Sequence, residues 1–537
     1  MRATLYFVVA AIIGLASCSC ERAASGGAEA SHRIVAGVVR DASGAPIRGA
    51  LVTVADGPQS IARFTDASGA YRIPDAPRKA LRVSASGYGL APMSKTLTAS
   101  QAEAVDFQLT AQFNPQELTT SEILTTLPQN DETRWLKVRC ISCHGLTQPG
   151  HLRGAAEPLW METFKSMQEV YAREEIKPED YAYTAKIVAK YFGPNAPEPT
   201  AQSVRRAPLS DEALKATFYM IDLPAPKGRV LPHSIVADNK GGAWVALSSR
   251  VANSIARWDL ASGKIESIAL KIPGAAPHTP TIDNKGRVWT GLLLAKQLTV
   301  IDPKTKSIDY VPLQSMPHTL STDPDGAIWG NGDKIFRVDP EKRAVQQYWT
   351  PIEAEGDKDS WIELFPAPGR PHAGKRPLDP YHAVRDSKGF VWFTSYNTGL
   401  LTRLDPRTGQ QTIYKPPGNP SSRGLDVDAN DVIWFSNWGG HALMRFDPKT
   451  GQFRTYKFPT EFAMPYSVFA DRKRGHIWIT DFAGNRLTRF DPRTETFVEY
   501  PLPHNESYPR FLSIDDKGRI WFAEWWNSRL GVMDPGS

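Results

Sequence analysis

The chain has 537 residues, a formal net charge of only +6 and no long run of Lys and Arg, which excludes nucleic-acid binding as its main activity. That length holds several domains, each able to bury a core, and its 40 Gly and 43 Pro suit a chain rich in β-turns. Four cysteines, Cys18, Cys20, Cys140 and Cys143, are badly placed to staple such a fold, so stability must come from core burial.

From Met1 to Ala16, one basic residue, Arg2, precedes an apolar stretch from Leu5 to Leu15 that is too short for a permanent membrane helix and reads as an export signal. Leu15-Ala16-Ser17-Cys18 resembles the lipobox of bacterial lipoproteins, which implies a signal peptide over 1–17, an acylated Cys18 and a membrane lipid anchor. Cleavage after a small residue by an ordinary signal peptidase is the alternative. Residues 21–32 are small and polar and read as a tether.

Between Arg33 and Gln112, short alternating segments such as Ala50 to Val54 and Leu81 to Ala85 are separated by turns at Asp41-Ala-Ser-Gly44 and Asp66-Ala-Ser-Gly69. This pattern predicts an all-β sandwich of about seven strands over 33–112. Gly37-Val38-Val39-Arg40-Asp41, Thr65-Asp66-Ala67-Ser68-Gly69-Ala70-Tyr71 and Gly87-Tyr88 resemble the carboxypeptidase regulatory-like family across the segment. The resemblance implies a non-catalytic spacer or a carbohydrate- or protein-contacting module.

Cys140-Ile141-Ser142-Cys143-His144 has the CxxCH form that attaches a c-type haem. Two thioethers would hold the porphyrin, and His144 would present a ring nitrogen to iron from one side. A zinc site or a redox disulfide needs partners that Cys18 and Cys20 are poorly placed to give. Residues 119–192 look like a small all-α cytochrome c domain: one helix runs into the motif, and Pro178 opens a last helix with Tyr183, Ile187 and Tyr191 on one face. Trp160, Phe164, Met167 and Tyr171 share a helical face from which Met161 is turned by about 100°, so Met167 is the expected sixth ligand. His151, Met161 and an open position are the alternatives. A Met/His pair would make one covalent haem c an electron carrier and implies a periplasmic or membrane electron-transfer partner. Residues 193–213 are Pro-rich and read as a semi-rigid linker.

From 214 to 537 the chain is a repeat array. Trp244, Trp289, Trp329, Trp392, Trp434, Trp478 and Trp521 each follow an Asp-x-x-Gly-like turn, and most units end on an Asp-Pro turn, as at Asp302-Pro303 and Asp491-Pro492. Seven such units predict a seven-bladed β-propeller, with the lone strand at Ala216 to Leu223 completing the last blade. The whole chain is thus expected to be multidomain and mainly β: sandwich, small helical haem domain, propeller. The motifs resemble the streptogramin lyases, also called virginiamycin B lyases, over 216–537. That resemblance implies histidines and a glutamate around magnesium, with a Glu-x-His group after a blade tryptophan. Here the tips read Asp481-Phe482-Ala483 and Glu524-Trp525-Trp526, without that histidine.

Eleven positions before each tryptophan stand His233, His278, His318, Tyr381, Arg423 and Arg510, with Tyr466 one further back and His382 beside Tyr381. Propeller topology brings these to one mouth with the tips after the tryptophans: Ser248, Asn331, Asn397, Asn437, Asp481 and Glu524. His233, His278, His318, Arg423, Arg510 and Glu524 are the candidate catalytic residues for a small-molecule substrate. Arginines clamp a carboxylate or phosphate, a histidine can accept a proton, and three histidines from adjacent blades could hold a divalent metal. Polar lining of a wet channel is the plain alternative. A Pro-rich insert at 351–380, with Trp361, Phe365 and His372, reads as a lid or docking surface. Two functions follow: a periplasmic haem-linked oxidoreductase, or a lyase opening a lactone or ester by elimination.

Overall fold

The computed structural model describes residues 32–99, 104–141, 144–171, 180–224, 229–248, 252–348, 353–354, 376–377, 380–396, 398–418 and 421–536. The export and lipid-anchor expectations, Cys143, Asn397, Pro178 and nearly all of the 351–380 insert lie outside these residues. Among the described residues no helix is long and apolar enough to cross a membrane.

The N-terminal unit has seven strands, β1 (His32–Asp41), β2 (Leu51–Asp56), β3 (Gln59–Phe64), β4 (Ala70–Pro77), β5 (Leu81–Gly87), β6 (Leu90–Leu97) and β7 (Phe107–Leu109). They form two sheets, β4-β1-β7 and β3-β2-β5-β6. Alternation decides which residues face inward: Val52 and Val54 of β2 meet Val83 and Ala85 of β5, with Val35 and Ile73 from the facing sheet, all 2% exposed or less.

Among the described residues five helices follow: α1 (Thr120–Thr125), α2 (Asp131–Cys140), α3 (Thr147–His151), α4 (Glu157–Tyr171) and α5 (Tyr181–Phe192). Their starts are written in the sequence. Thr119 and Glu122 form a capping box on α1, and Asn130 and Thr133 another on α2. Trp135, Trp160, Phe164, Ile187 and Phe192 make the core of the unit. The Pro-rich stretch after α5 is pinned rather than free: Arg205 pairs with Glu461 at 2.7 Å, Arg206 with Glu122 at 2.6 Å, and Asp211 with Arg48 at 2.7 Å.

The remainder is a ring of seven four-stranded antiparallel sheets, whose innermost strands start at Pro232, Pro277, Thr319, Pro380, Leu425, Pro465 and Leu512 and touch their neighbours all the way round. The recurring Asp and Trp of each unit are one device. In five blades the indole N–H donates to the Asp six residues earlier, at 2.9 Å for Trp289 to Asp283 and 3.0 Å for Trp521 to Asp515. The same Asp515 carboxylate accepts the backbone N–H groups of its own turn, from Lys517 and Arg519. Strand β8 (Thr217–Asp222) pairs antiparallel with Arg529–Asp534 and supplies the missing outer strand of the seventh blade. Its other edge pairs with β3, so the sandwich sheet and the seventh blade are one eight-stranded sheet.

Candidate functional site

Each blade places one of the predicted residues on the funnel wall, and together they close a circuit. The rings of His233 and His278 lie 3.6 Å apart, those of His278 and His318 4.2 Å, and His318 and Tyr381 4.5 Å. The Tyr381 and Tyr466 hydroxyls are hydrogen-bonded at 2.5 Å. Arg510 donates to the Tyr466 hydroxyl at 3.3 Å and to His233 Nε2 at 3.2 Å. Arg423 donates to the hydroxyls of Tyr381 at 3.2 Å and Tyr396 at 3.0 Å. Arg423 and Arg510 also lie over the faces of Trp438 and Trp525, at 4.2 and 4.1 Å.

These contacts settle proton positions. A guanidinium has no acceptor, so His233 Nε2 accepts from Arg510 and the ring proton is on Nδ1, against the Ser234 hydroxyl at 2.8 Å. His318 Nδ1 likewise donates to the Tyr381 carbonyl at 2.8 Å. Nδ1 of His278 meets the Thr279 hydroxyl at 3.0 Å. His382 faces the other way: its Nδ1 accepts the Leu425 N–H at 3.2 Å, and burial pulls its pKa down to about 4.

Arg423 is only 4% exposed, and among the described residues no carboxylate pairs with it. Burial by itself would lower its pKa, but the phenol oxygens of Tyr396, Tyr381 and Tyr466 hold it above the ordinary arginine value. Burial pushes the Tyr381 hydroxyl far up, so it stays protonated and can donate. The funnel wall is therefore a buried cation lined by phenols and imidazoles, chemistry that can hold an anion.

The predicted residues do not all face this space. Asn331 donates to the Pro380 carbonyl at 2.6 Å, Asn437 accepts from Gly440 N–H at 2.7 Å, and the Ser248 hydroxyl bonds the Pro277 carbonyl. Asp481 Oδ1 accepts from the N–H groups of Met464 and Gly484, and burial raises its pKa to about 6. Asn437 and Asp481 thus hold their own turns, while Asn331 and Ser248 tie their blades to the start of the next one. The three histidines stack as tilted plates, and among the described residues no group of three or more His, Cys, Asp or Glu is arranged to hold a metal ion. Glu524, fully buried, faces His504 Nδ1 and Asn527 Nδ2, each at 3.2 Å. Sequence reading missed His504 because it lies in an irregular connection outside the repeat.

The helical unit sits on this mouth. Its core is continuous with Trp438, Tyr466, Phe482, Tyr508, Phe511 and Trp526. The α1 start is fixed to the sixth blade by Ser121, whose N–H donates to Ala483 O and whose hydroxyl donates to Phe462 O, both at 3.0 Å. Thr147 bonds the Tyr508 hydroxyl, and Glu506 takes both Gln148 at 2.8 Å and His151 at 3.0 Å. His151 is thereby engaged on the propeller. The His144 ring lies 5.4 Å from that of Trp526, which stacks under Arg229 at 4.1 Å.

The residues present fit a c-type haem. Cys140 ends α2, and His144, only 8% exposed, has its Nδ1 at 3.0 Å from the Gly145 carbonyl; that bond keeps the proton on Nδ1 and leaves Nε2 to bind iron. Burial lowers the His144 pKa and so favours the neutral, ligating form. Met167 packs against the same core. Met161 does so as well, so the facing argument does not separate the two.

A model described as the virginiamycin B lyase family matches residues 371–537, from the fourth blade onward, and one described as a carboxypeptidase regulatory-like domain matches 34–110. The C-terminal blades are virginiamycin B lyase-like. No curated protein matches the chain. A streptogramin B lyase structure is 22% identical with a TM-score of 0.49, covering 59% of this chain and 97% of its own. Virginiamycin B lyase from Staphylococcus aureus, in selenomethionine form, is 24% identical with a TM-score of 0.47 over 59% of this chain and 99% of its own. Hydrazine synthase from Kuenenia stuttgartiensis is 11% identical with a TM-score of 0.45, covering 58% and 97%.

Proposed function

We propose that this chain is an exported, lipid-anchored c-type haem protein whose lyase-like propeller binds and oxidises a small organic anion at the mouth beneath the helical unit. The observation that carries the reading is the shared core: the helices on either side of His144, the first ending at Cys140, pack on Trp438, Tyr466 and Phe511 of the wall that holds Arg423 and Arg510. A haem held by Cys140, Cys143, His144 and Met167 would supply one-electron transfer. Arg423 and Arg510 bind the anionic end of the substrate, and the aromatic wall excludes water. The Nε2 atoms of His278 and His318 are the candidate proton acceptors. Trp526 belongs to the core shared with the propeller, and its ring lies 5.4 Å from that of His144. Electrons would leave to a periplasmic or membrane partner.

The test is anaerobic incubation of oxidised holoprotein with small hydroxy acids and phosphate esters. Substrate-driven haem reduction that Arg510→Ala abolishes supports the reading; turnover unchanged in Arg510→Ala and His278→Ala sinks the mouth as the site. The match over 371–537 favours a second reading, elimination from a lactone or ester. It predicts an unsaturated product with no change in haem oxidation state.

A further inference from the structure

The tip of the seventh blade carries two tryptophans, and each lies under an arginine. Trp525 meets Arg510 of the funnel wall at 4.1 Å, and Trp526 meets Arg229, also at 4.1 Å. Arg510 belongs to the mouth; Arg229 has no part in it. It sits in the connection from β8 to the first blade, and its place is fixed from both sides. The neighbouring Val230 is buried and donates its N–H to the Ser528 hydroxyl at 3.1 Å, while Asn527 closes the tip on Glu524 at 3.2 Å.

Trp526 also lies beside the CxxCH motif, its ring 5.4 Å from that of His144. The Arg229 charge reaches this imidazole, where it disfavours a second positive charge and Glu506 favours one. The two side chains are not equally available. Glu506 is taken by Gln148 at 2.8 Å and His151 at 3.0 Å, whereas Arg229 is exposed and, among the described residues, forms no ion pair. A guanidinium held flat on an indole, without a carboxylate and next to a haem ligand, finds its chemical partner in haem, whose two propionates are carboxylates. Reduction also adds an electron at the iron, so a fixed positive charge nearby favours the reduced state.

We infer that Arg229 is the propeller's contribution to the haem site: it pairs with a propionate carboxylate and raises the reduction potential of the iron. This role rests on the reading that Cys140, Cys143 and His144 hold haem, and on nothing that binds at the mouth. It makes the potential depend on how the helical unit is seated on the seventh blade.

The experiment is a spectroelectrochemical titration of the full-length holoprotein at low ionic strength. Arg229→Gln is expected to shift the reduction equilibrium about tenfold toward oxidised haem, a fall of about 59 mV for one electron. Arg229→Lys keeps the charge and should recover most of the loss, and the effect of Arg229→Gln should shrink in about 1 M salt because the side chain is exposed. A contact that only packs would show neither rescue nor salt dependence. Arg407→Gln, in an exposed turn of the fourth blade, should leave the potential unchanged. Equal potentials in the natural protein and Arg229→Gln, or a fall that Arg229→Lys repeats in full, overturn the role of Arg229 alone. Absence of covalent haem overturns the reading beneath it as well.

Discussion

Arg423 holds its charge in the funnel wall against phenols and the Trp438 ring, so its removal should be felt mainly by a bound anion. Arg423→Ala is expected to weaken anion binding by roughly 2 kcal/mol, about thirtyfold, and Arg423→Lys to recover little because the two-pronged contact is lost; equilibrium titration checks both. His382 gives a pH signature. Its folded pKa of about 4 lies below the unfolded value of 6.5, so between these the unfolded chain binds a proton that the folded one does not. Stability should therefore fall as pH drops from 6.5 to 4, and His382→Asn should flatten part of that slope in urea midpoints measured across the range. Asp481 acts in the opposite sense: its raised pKa makes the fold lose stability as pH rises from 3.8 through about 6. The seven wall positions were legible because repeat symmetry fixes where a residue eleven before the blade tryptophan must point. What their side chains bond was not. Asn331 and Asn437 look like funnel residues in sequence, yet backbone groups claim them, the Pro380 carbonyl of the next blade for Asn331 and the Gly440 N–H of its own turn for Asn437.

Strand β8 was readable as the closing strand because the seventh unit is one strand short. Its pairing with β3 was not, since an edge strand carries no mark of what will cover it. That second pairing predicts that deleting 33–112 leaves the blade complete but uncovers the outer edge of β8, and such a protein should self-associate in light scattering where the full chain stays dispersed. At the helical seam, Tyr508→Phe removes the hydroxyl that Thr147 bonds and should cost about 1–2 kcal/mol, read as a lower urea midpoint. The seam was invisible in sequence: Phe482, Tyr508 and Trp526 resemble any aromatic blade tip. Helix α4 shows the same limit. A 100° facing difference separates Met161 from Met167 on an isolated helix, but both pack against the core.

In the whole molecule, the sandwich is fused to the seventh blade, the Pro-rich stretch is tied to every unit, and the helices are seated on the mouth. A haem held by Cys140, Cys143 and His144 would therefore feel what binds at Arg423 and Arg510. The most direct test is the visible spectrum of oxidised, anaerobic holoprotein, made with haem attachment machinery, during exposure to small organic anions. The account predicts that one of them reduces the haem in the natural protein but not in Arg510→Ala, while dithionite reduces both. Absence of covalent haem, or equal reduction in Arg510→Ala, would contradict it.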